Sequence, residues 1–363
     1  MPENMSQVER VLFVAPEMAA RGTNEYTVNM AAELRERGVE ALVFCGPGPM
    51  LNLLRARGIK WETFEGFSRA KLRRGERDRL VQRLGEFSPQ VVHALTVQLA
   101  SMLANMPEAV RVPIVLTVHG HPAKPRAFRS ATARVSGVIA TSQDVREGLV
   151  NKCRVEKDRI VFIPNGVDVV SLTRKAIRPI FTGKVPVVGS VGPVETARGH
   201  ELFVRAASRL TSIGRVMHFV VAGEGRQLPG LRKLSRELGI DGSLTFVSDF
   251  WAYEDVLDAL DIVVQSSQVD VSGFSILDAM AHGRPVIAFN TGTACEIVED
   301  GRTGLLIPRE NIQLLAEAIT RLVEDRQLAV QMGAAARDRV AERFDIRHVA
   351  DMTLQYYHRL LSG

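Results

Sequence analysis

The segment Asp270-Val-Ser-Gly-Phe-Ser-Ile-Leu-Asp278 places two carboxylates around a glycine, and an apolar run leads on to Pro285-Val-Ile-Ala288. If a helix starts at that glycine, the amides of Gly273, Phe274 and Ser275 can hold a diphosphate, and the two acids can accept hydrogen bonds from sugar or ribose hydroxyls. A plainer account makes Asp278 a charge at the helix terminus and Asp270 an ordinary loop acid, and these residues by themselves leave both open. Two Gly-x-Gly turns, Gly46-Pro-Gly48 and Gly223-Glu-Gly225, follow apolar runs, but the sixth position of a dinucleotide fingerprint is Leu51 in one and Leu228 in the other. Plain turns account for them better than a nicotinamide site does.

The elements that must carry these residues alternate. Short β-rich runs (Val11–Ala15, Ala41–Phe44, Val91-Val92, Ile114–Val118, Gly137–Ala140) are separated by helical patterns such as Thr27–Arg37. That rhythm predicts βα units on a buried parallel sheet. It pauses after Pro164-Asn165-Gly166 and the basic stretch Arg174–Pro186. It then restarts with Val187–Val191, His218–Ala222, Leu244–Val247, Ile262–Val264, Pro285–Ala288 and Gly304–Ile307. The expected organisation is α/β with two tandem Rossmann-like, doubly wound domains, 1–175 and 176–343. An amphipathic C-terminal helix, 344–363, is expected to cross back onto the first domain.

The chain has 363 residues, 46% hydrophobic and 24% charged, which excludes a disordered or collagen-like protein and suits two domains. A net charge of +5 favours anionic small molecules or a membrane surface over nucleic-acid wrapping. Cys45, Cys153 and Cys295 are too scattered for a disulfide framework or a zinc site. The polar start Met1–Arg10 runs into a short apolar segment, which predicts no signal peptide and no membrane span, hence a cytoplasmic protein.

In order along the chain, Phe162-Ile-Pro-Asn-Gly-Val-Asp168, the Asp270–Ala288 segment and the run Asn290–Pro308 resemble the retaining nucleotide-sugar glycosyltransferases of family 4, the group 1 transferases with GT-B architecture. The resemblance spans nearly the whole chain. It implies two Rossmann-like domains facing across a cleft, with the nucleotide-sugar donor held mainly by the second and an unidentified acceptor approaching over the first. Gly22 and Thr23, in the loop Arg21–Glu25, match the family's glycine-rich loop beside the donor diphosphate. His119, directly after Ile114–Val118, matches the histidine that faces the donor sugar, with His121 as an understudy. The family's pair of phosphate-binding cations, five residues apart, is here Pro193 and Arg198, so one cation is missing. Its Glu-x7-Glu pair is Asp270 and Asp278, each shorter by one methylene. Base recognition falls on Ser248, Asp249 and Phe250. No Asp-x-Asp occurs, in keeping with the family's metal-independent chemistry, and no cofactor beyond the sugar nucleotide is expected.

The implied activity is retaining transfer of a sugar, of hexosyltransferase type, such as builds cell-surface glycans or glycolipids, with His119, Asp270 and Arg198 at the reacting centre. The competing expectation, carried by Pro193 and the shortened acids, is a non-catalytic relative that binds a sugar nucleotide or a partner protein and regulates or scaffolds an active transferase. A sugar-nucleotide epimerase is a third. The run Arg69–Arg83 carries seven bases interleaved with Leu72, Leu80, Val81 and Leu84. It is read either as a solvated helix face or as a peripheral contact with anionic membrane or acceptor. With no accompanying nucleic-acid motif, nucleic acid is not an expected partner.

Overall fold

A computed structural model describes residues 8–18, 22–106, 111–173, 178–248, 253–269 and 272–362. The chain divides into two compact units: unit 1 comprises Met1–Val167 with Ile346–Gly363, and unit 2 comprises Asp168–Asp345.

The strands of unit 1 are β1 (Arg10–Glu17), β2 (Glu40–Gly46), β3 (Lys60–Thr63), β4 (Val91–Ala94), β5 (Ile114–Val118), β6 (Gly137–Ala140) and β7 (Ile160–Phe162). They form one sheet in the order β3-β2-β1-β4-β5-β6-β7, with every pairing parallel. Unit 2 has β8 (Val187–Val191), β9 (His218–Ala222), β10 (Leu244–Val247), β11 (Ile262–Gln265), β12 (Val286–Phe289) and β13 (Gly304–Ile307), in the order β10-β9-β8-β11-β12-β13. All of its pairings are parallel too.

Strand burial explains the continuous apolar runs. Every residue of β4, β5, β6, β11 and β12 is buried, because helical crossovers cover a parallel sheet on both faces. Strand order reverses between β1 and β4 in unit 1 and between β8 and β11 in unit 2. Doubly wound sheets take ligands beyond the carboxyl ends of their strands at such reversals.

The C-terminal helix Ile346–Ser362 belongs to unit 1. Ile346 N–H donates to Val167 O at 2.9 Å, and Arg37 pairs with Asp351 at 2.6 Å. A Cβ at Gly166 would stand 2.9 Å from Ile346 Cα, so glycine lets the helix start close to the Pro164-Asn165-Gly166 turn. Tyr357 is wholly buried, its hydroxyl 2.5 Å from Nδ1 of His93, whose Nε2 lies 2.6 Å from Thr117 Oγ1. Burial pushes His93 down to about 3, so this polar chain through the core of unit 1 is neutral. Among the described residues no helix is long and apolar enough to cross a membrane.

Candidate functional site

In unit 2 the chain leaves β8 at Gly192, whose φ of 124° suits glycine. The Gly192–Val194 loop is fastened by Gly192 N–H to Ala222 O at 2.9 Å and Val194 N–H to Glu224 O at 2.7 Å. This fastening accounts for the Gly223-Glu-Gly225 turn. With φ of 147° and 158°, its glycines lie so close that a Cβ would run into Gly192 O at one and Val194 O at the other. The turn is a packing device. Gly46 has the same explanation in unit 1, where a Cβ would run into Pro16 O.

His200, the first residue of the helix His200–Ser212, secures the loop from beneath: its Nε2–H donates to Pro193 O at 3.2 Å and its Nδ1 accepts from Ser190 Oγ at 2.9 Å. Burial lowers His200 to about 4, so the ring is neutral. The loop then turns through Thr196–Arg198 to Gly199, whose carbonyl accepts from Ser266 Oγ at 2.7 Å, while Gln268 N–H donates to Ala197 O at 3.1 Å. The segments after β8 and β11 are thus tied together across the strand-order reversal.

The helix Phe274–Ala281 opens at this place, with Gly273 at its N-cap at φ 74°. Ser275 faces the first loop: a Cβ at Gly192 would stand 2.9 Å from Ser275 Oγ. Asp278 lies in the second turn of the helix, and the first turn holds no acid. The helix-terminus account of Asp278 therefore gives way to a different contact, Tyr253 Oη–H donating to Asp278 Oδ2 at 3.2 Å. Tyr253 also interacts with Arg198. Desolvation lowers the Arg198 pKa, opposed by a weaker electrostatic contribution from Tyr253, and among the described residues Arg198 has no carboxylate partner. A half-buried guanidinium with no carboxylate partner among the described residues is disposed to hold an anion. Arg198, Gly273, Phe274, Ser275 and Asp278 share this end of unit 2. Asp249, Phe250 and Asp270 lie outside the described residues.

In unit 1, Gly22 caps the helix Thr23–Glu36 at φ 79°, and Thr23 is the first helical residue. Asn24 Nδ2 donates to Glu17 O at 2.8 Å, tying the helix start to the end of β1. His119 follows β5, half-buried, and desolvation lowers it to about 4 against a weaker opposing hydrogen bond from Asn165. Asn165 Oδ1 can only accept, so the neutral ring carries its proton on Nδ1, 2.8 Å away, and its lone pair on Nε2. Tyr26 meets the ring edge-on at 5.7 Å between centroids. His121 is engaged elsewhere, with Nε2 2.7 Å from Asp144 Oδ2 and its ring over Gly148. Sequence reasoning missed Tyr253 altogether and saw Asn165 only as part of a motif. Neither carries a local signal, since each acts on a residue distant in the chain.

Two parallel α/β units, each with a reversal in strand order and the second bearing Arg198 and a glycine-capped helix at its reversal, define a tandem Rossmann-like protein. Residues 174–339 match the model of the glycosyl transferases group 1, and residues 20–170 match that of glycosyltransferase family 4. The chain belongs to the group 1 glycosyltransferases. It is similar to an alpha-D-kanosaminyltransferase of Streptomyces kanamyceticus, 29% identical over 178 residues, a match spanning 48% of this chain and only 46% of that protein. A D-inositol 3-phosphate glycosyltransferase of Paenarthrobacter aurescens is 26% identical, covering 95% of this chain and 94% of its own. Among solved structures, Anabaena Alr3699/HepE in complex with UDP-glucose superposes with a TM-score of 0.82 at 22% identity, covering 96% of this chain and 98% of that one.

Proposed function

We propose that the protein is a retaining glycosyltransferase that takes a sugar from a nucleoside-diphosphate sugar and gives it to an acceptor hydroxyl. The observation that carries this reading is Arg198, desolvated and without a carboxylate partner among the described residues, at the strand-order reversal of unit 2. In this reading Arg198 and the amides of Gly273–Ser275 take up the charge of the departing diphosphate, with no metal required for that task. Asp278, oriented by the Tyr253 hydroxyl, accepts from ribose hydroxyls, and Asp270 holds the sugar. Gly22 and Thr23 lend amides near the diphosphate, and Asp249 and Phe250 read the base. His119, neutral at pH 7, offers Nε2 to a sugar hydroxyl without adding a fixed charge. The new bond forms on the face the diphosphate leaves. The relatives' names and the bound UDP-glucose of the Anabaena protein support a sugar-nucleotide donor.

Pro193 favours a second reading. It stands where the family's first phosphate-binding cation is expected, and its carbonyl is already taken by His200. A protein that binds a sugar nucleotide and regulates an active transferase would tolerate that loss. Calorimetry with uridine, guanosine and adenosine diphosphates and their sugars, followed by donor turnover with and without a cell extract as acceptor source, separates the two. Turnover that Arg198→Ala abolishes, with retained anomeric configuration in the product by NMR, supports the enzyme. Nucleotide binding without turnover supports the binding protein, and absence of any nucleotide binding overturns both.

A further inference from the structure

The basic run of unit 1 is sorted by the fold into residues that hold structure and residues left over. Arg79 lies 4.5 Å over the Phe64 ring and donates to Thr63 O, while Arg83 is taken by Glu62 and Glu86. Glu76 accepts from the amides of Gly66 and Arg73 at 3.1 Å each and fixes the start of the helix Arg74–Phe87, which buries Leu80 and Leu84. The remaining bases are exposed, and of these Arg69 and Arg77 also face a groove.

Those two line a groove of about 1060 Å³ together with Lys124, at the upper end of the roughly 300–1,000 Å³ usual for small-molecule sites. The groove runs along the helix Val97–Ala104, from Val97 to Asn105 and Met106 past its end, and against the helix Pro125–Ala131. Its floor is apolar, formed by side chains such as Leu72, Met102 and Phe128, which pack on the core of unit 1. Among the described residues no carboxylate lines it, and Arg69, Arg77 and Lys124 make no ion pair. A polyhydroxylated ligand would need side chains that accept hydrogen bonds, and few are present. An apolar, adaptable floor under a cationic rim instead complements a molecule with an anionic head and a hydrocarbon start.

We propose that this groove binds the head and first chain segment of an anionic membrane lipid and docks unit 1 on a membrane surface. The proposal stands apart from the catalytic reading, since none of these residues belongs to the donor site. The test is co-sedimentation of the full chain with vesicles of phosphatidylcholine alone or with about one-third phosphatidylglycerol, at low and high salt. Binding is expected only to the anionic vesicles and to weaken with salt. Replacing the rim charges together (Arg69→Gln, Arg77→Gln, Lys124→Gln) is expected to weaken it about 100-fold. Met102→Gln is expected to weaken it severalfold at unchanged Tm. The pair Arg126→Gln with Arg129→Gln, which removes exposed charges from the neighbouring helix outside the groove, is expected to change it less than about threefold. No preference for anionic vesicles, equal loss per charge in the two charge variants, or no effect of Met102→Gln overturns the groove as the docking site. Nucleotide calorimetry on the same variants should be unchanged, so failure of the donor reading and failure of this one are told apart.

Discussion

The two sheets are built alike, yet the groups at their carboxyl ends answer different demands. Unit 1 sets a neutral imidazole, His119, between Asn165 and Tyr26, and a second neutral histidine, His93, joins its core to the C-terminal helix through Tyr357. Unit 2 sets a cation, Arg198, beside a glycine-capped helix and a tyrosine–aspartate pair. A neutral ring suits directional hydrogen bonding, and a guanidinium suits an anion. One fold, used twice, keeps its scaffold and varies the residue that follows each strand.

Acid should break the symmetry most strongly. His93 and His119 have folded pKa values pushed down to about 3 and about 4, so the unfolded chain takes up protons first. Their contribution to stability is complete above about pH 6.5 and is lost as pH falls toward those values, at up to about 1.4 kcal/mol per pH unit for each ring. Unit 2 has one such ring, His200, lowered to about 4. Hydrogen exchange on the full chain between pH 7 and 5 should therefore show unit 1 losing protection more steeply than unit 2, and His93→Gln should flatten that slope. Equal slopes would count against the buried neutral chain.

Removal of the cation comes next. Arg198→Ala should weaken nucleoside-diphosphate binding about 10–100-fold, from the loss of about 1.5–3 kcal/mol of charge-assisted hydrogen bonding, while leaving the melting of unit 1 unchanged. Calorimetry at two salt concentrations checks it, and wild-type affinity in the variant would remove Arg198 from the site. Asn165→Ala removes the hydrogen bond that opposes desolvation and should shift the His119 titration further downward, at a cost of about 1 kcal/mol in stability. Histidine NMR shifts followed from pH 3 to 8 test this, and an unmoved titration would show that burial alone sets the ring. Smallest is a gain: Pro193→Arg restores the cation at the first of the family's two positions and should tighten diphosphate binding severalfold, because the His200 bond uses only the backbone carbonyl. Weaker binding would mean that the proline ring itself shapes the loop.

Strands such as Ile114–Val118 and His218–Ala222 were legible in the sequence because a sheet covered on both faces needs unbroken apolar runs. Two were not. β3 reads Lys-Trp-Glu-Thr, an edge strand whose charges match a half-solvated position, and β7 spans only three residues at the opposite edge. At the site, the resemblance to the family's pair of phosphate-binding cations pointed to Arg198, and the Gly273–Ser275 amides followed from a glycine before an apolar run. The helix that starts there, however, puts Asp278 in its second turn, bonded to a tyrosine that no local pattern marked.

Composition, strand rhythm and the order of the motifs by themselves determined two parallel α/β units and the residues that follow each strand. These depend on covalent order and on the periodicity of apolar side chains, both written locally. Tertiary structure alone decided that Gly223 and Gly225 serve packing, that Asn165 fixes the His119 tautomer from 46 residues away, and that Arg198 has no carboxylate partner among the described residues. Such properties follow from which groups meet in space and how much water they exclude, and neither is set until the sheets are assembled.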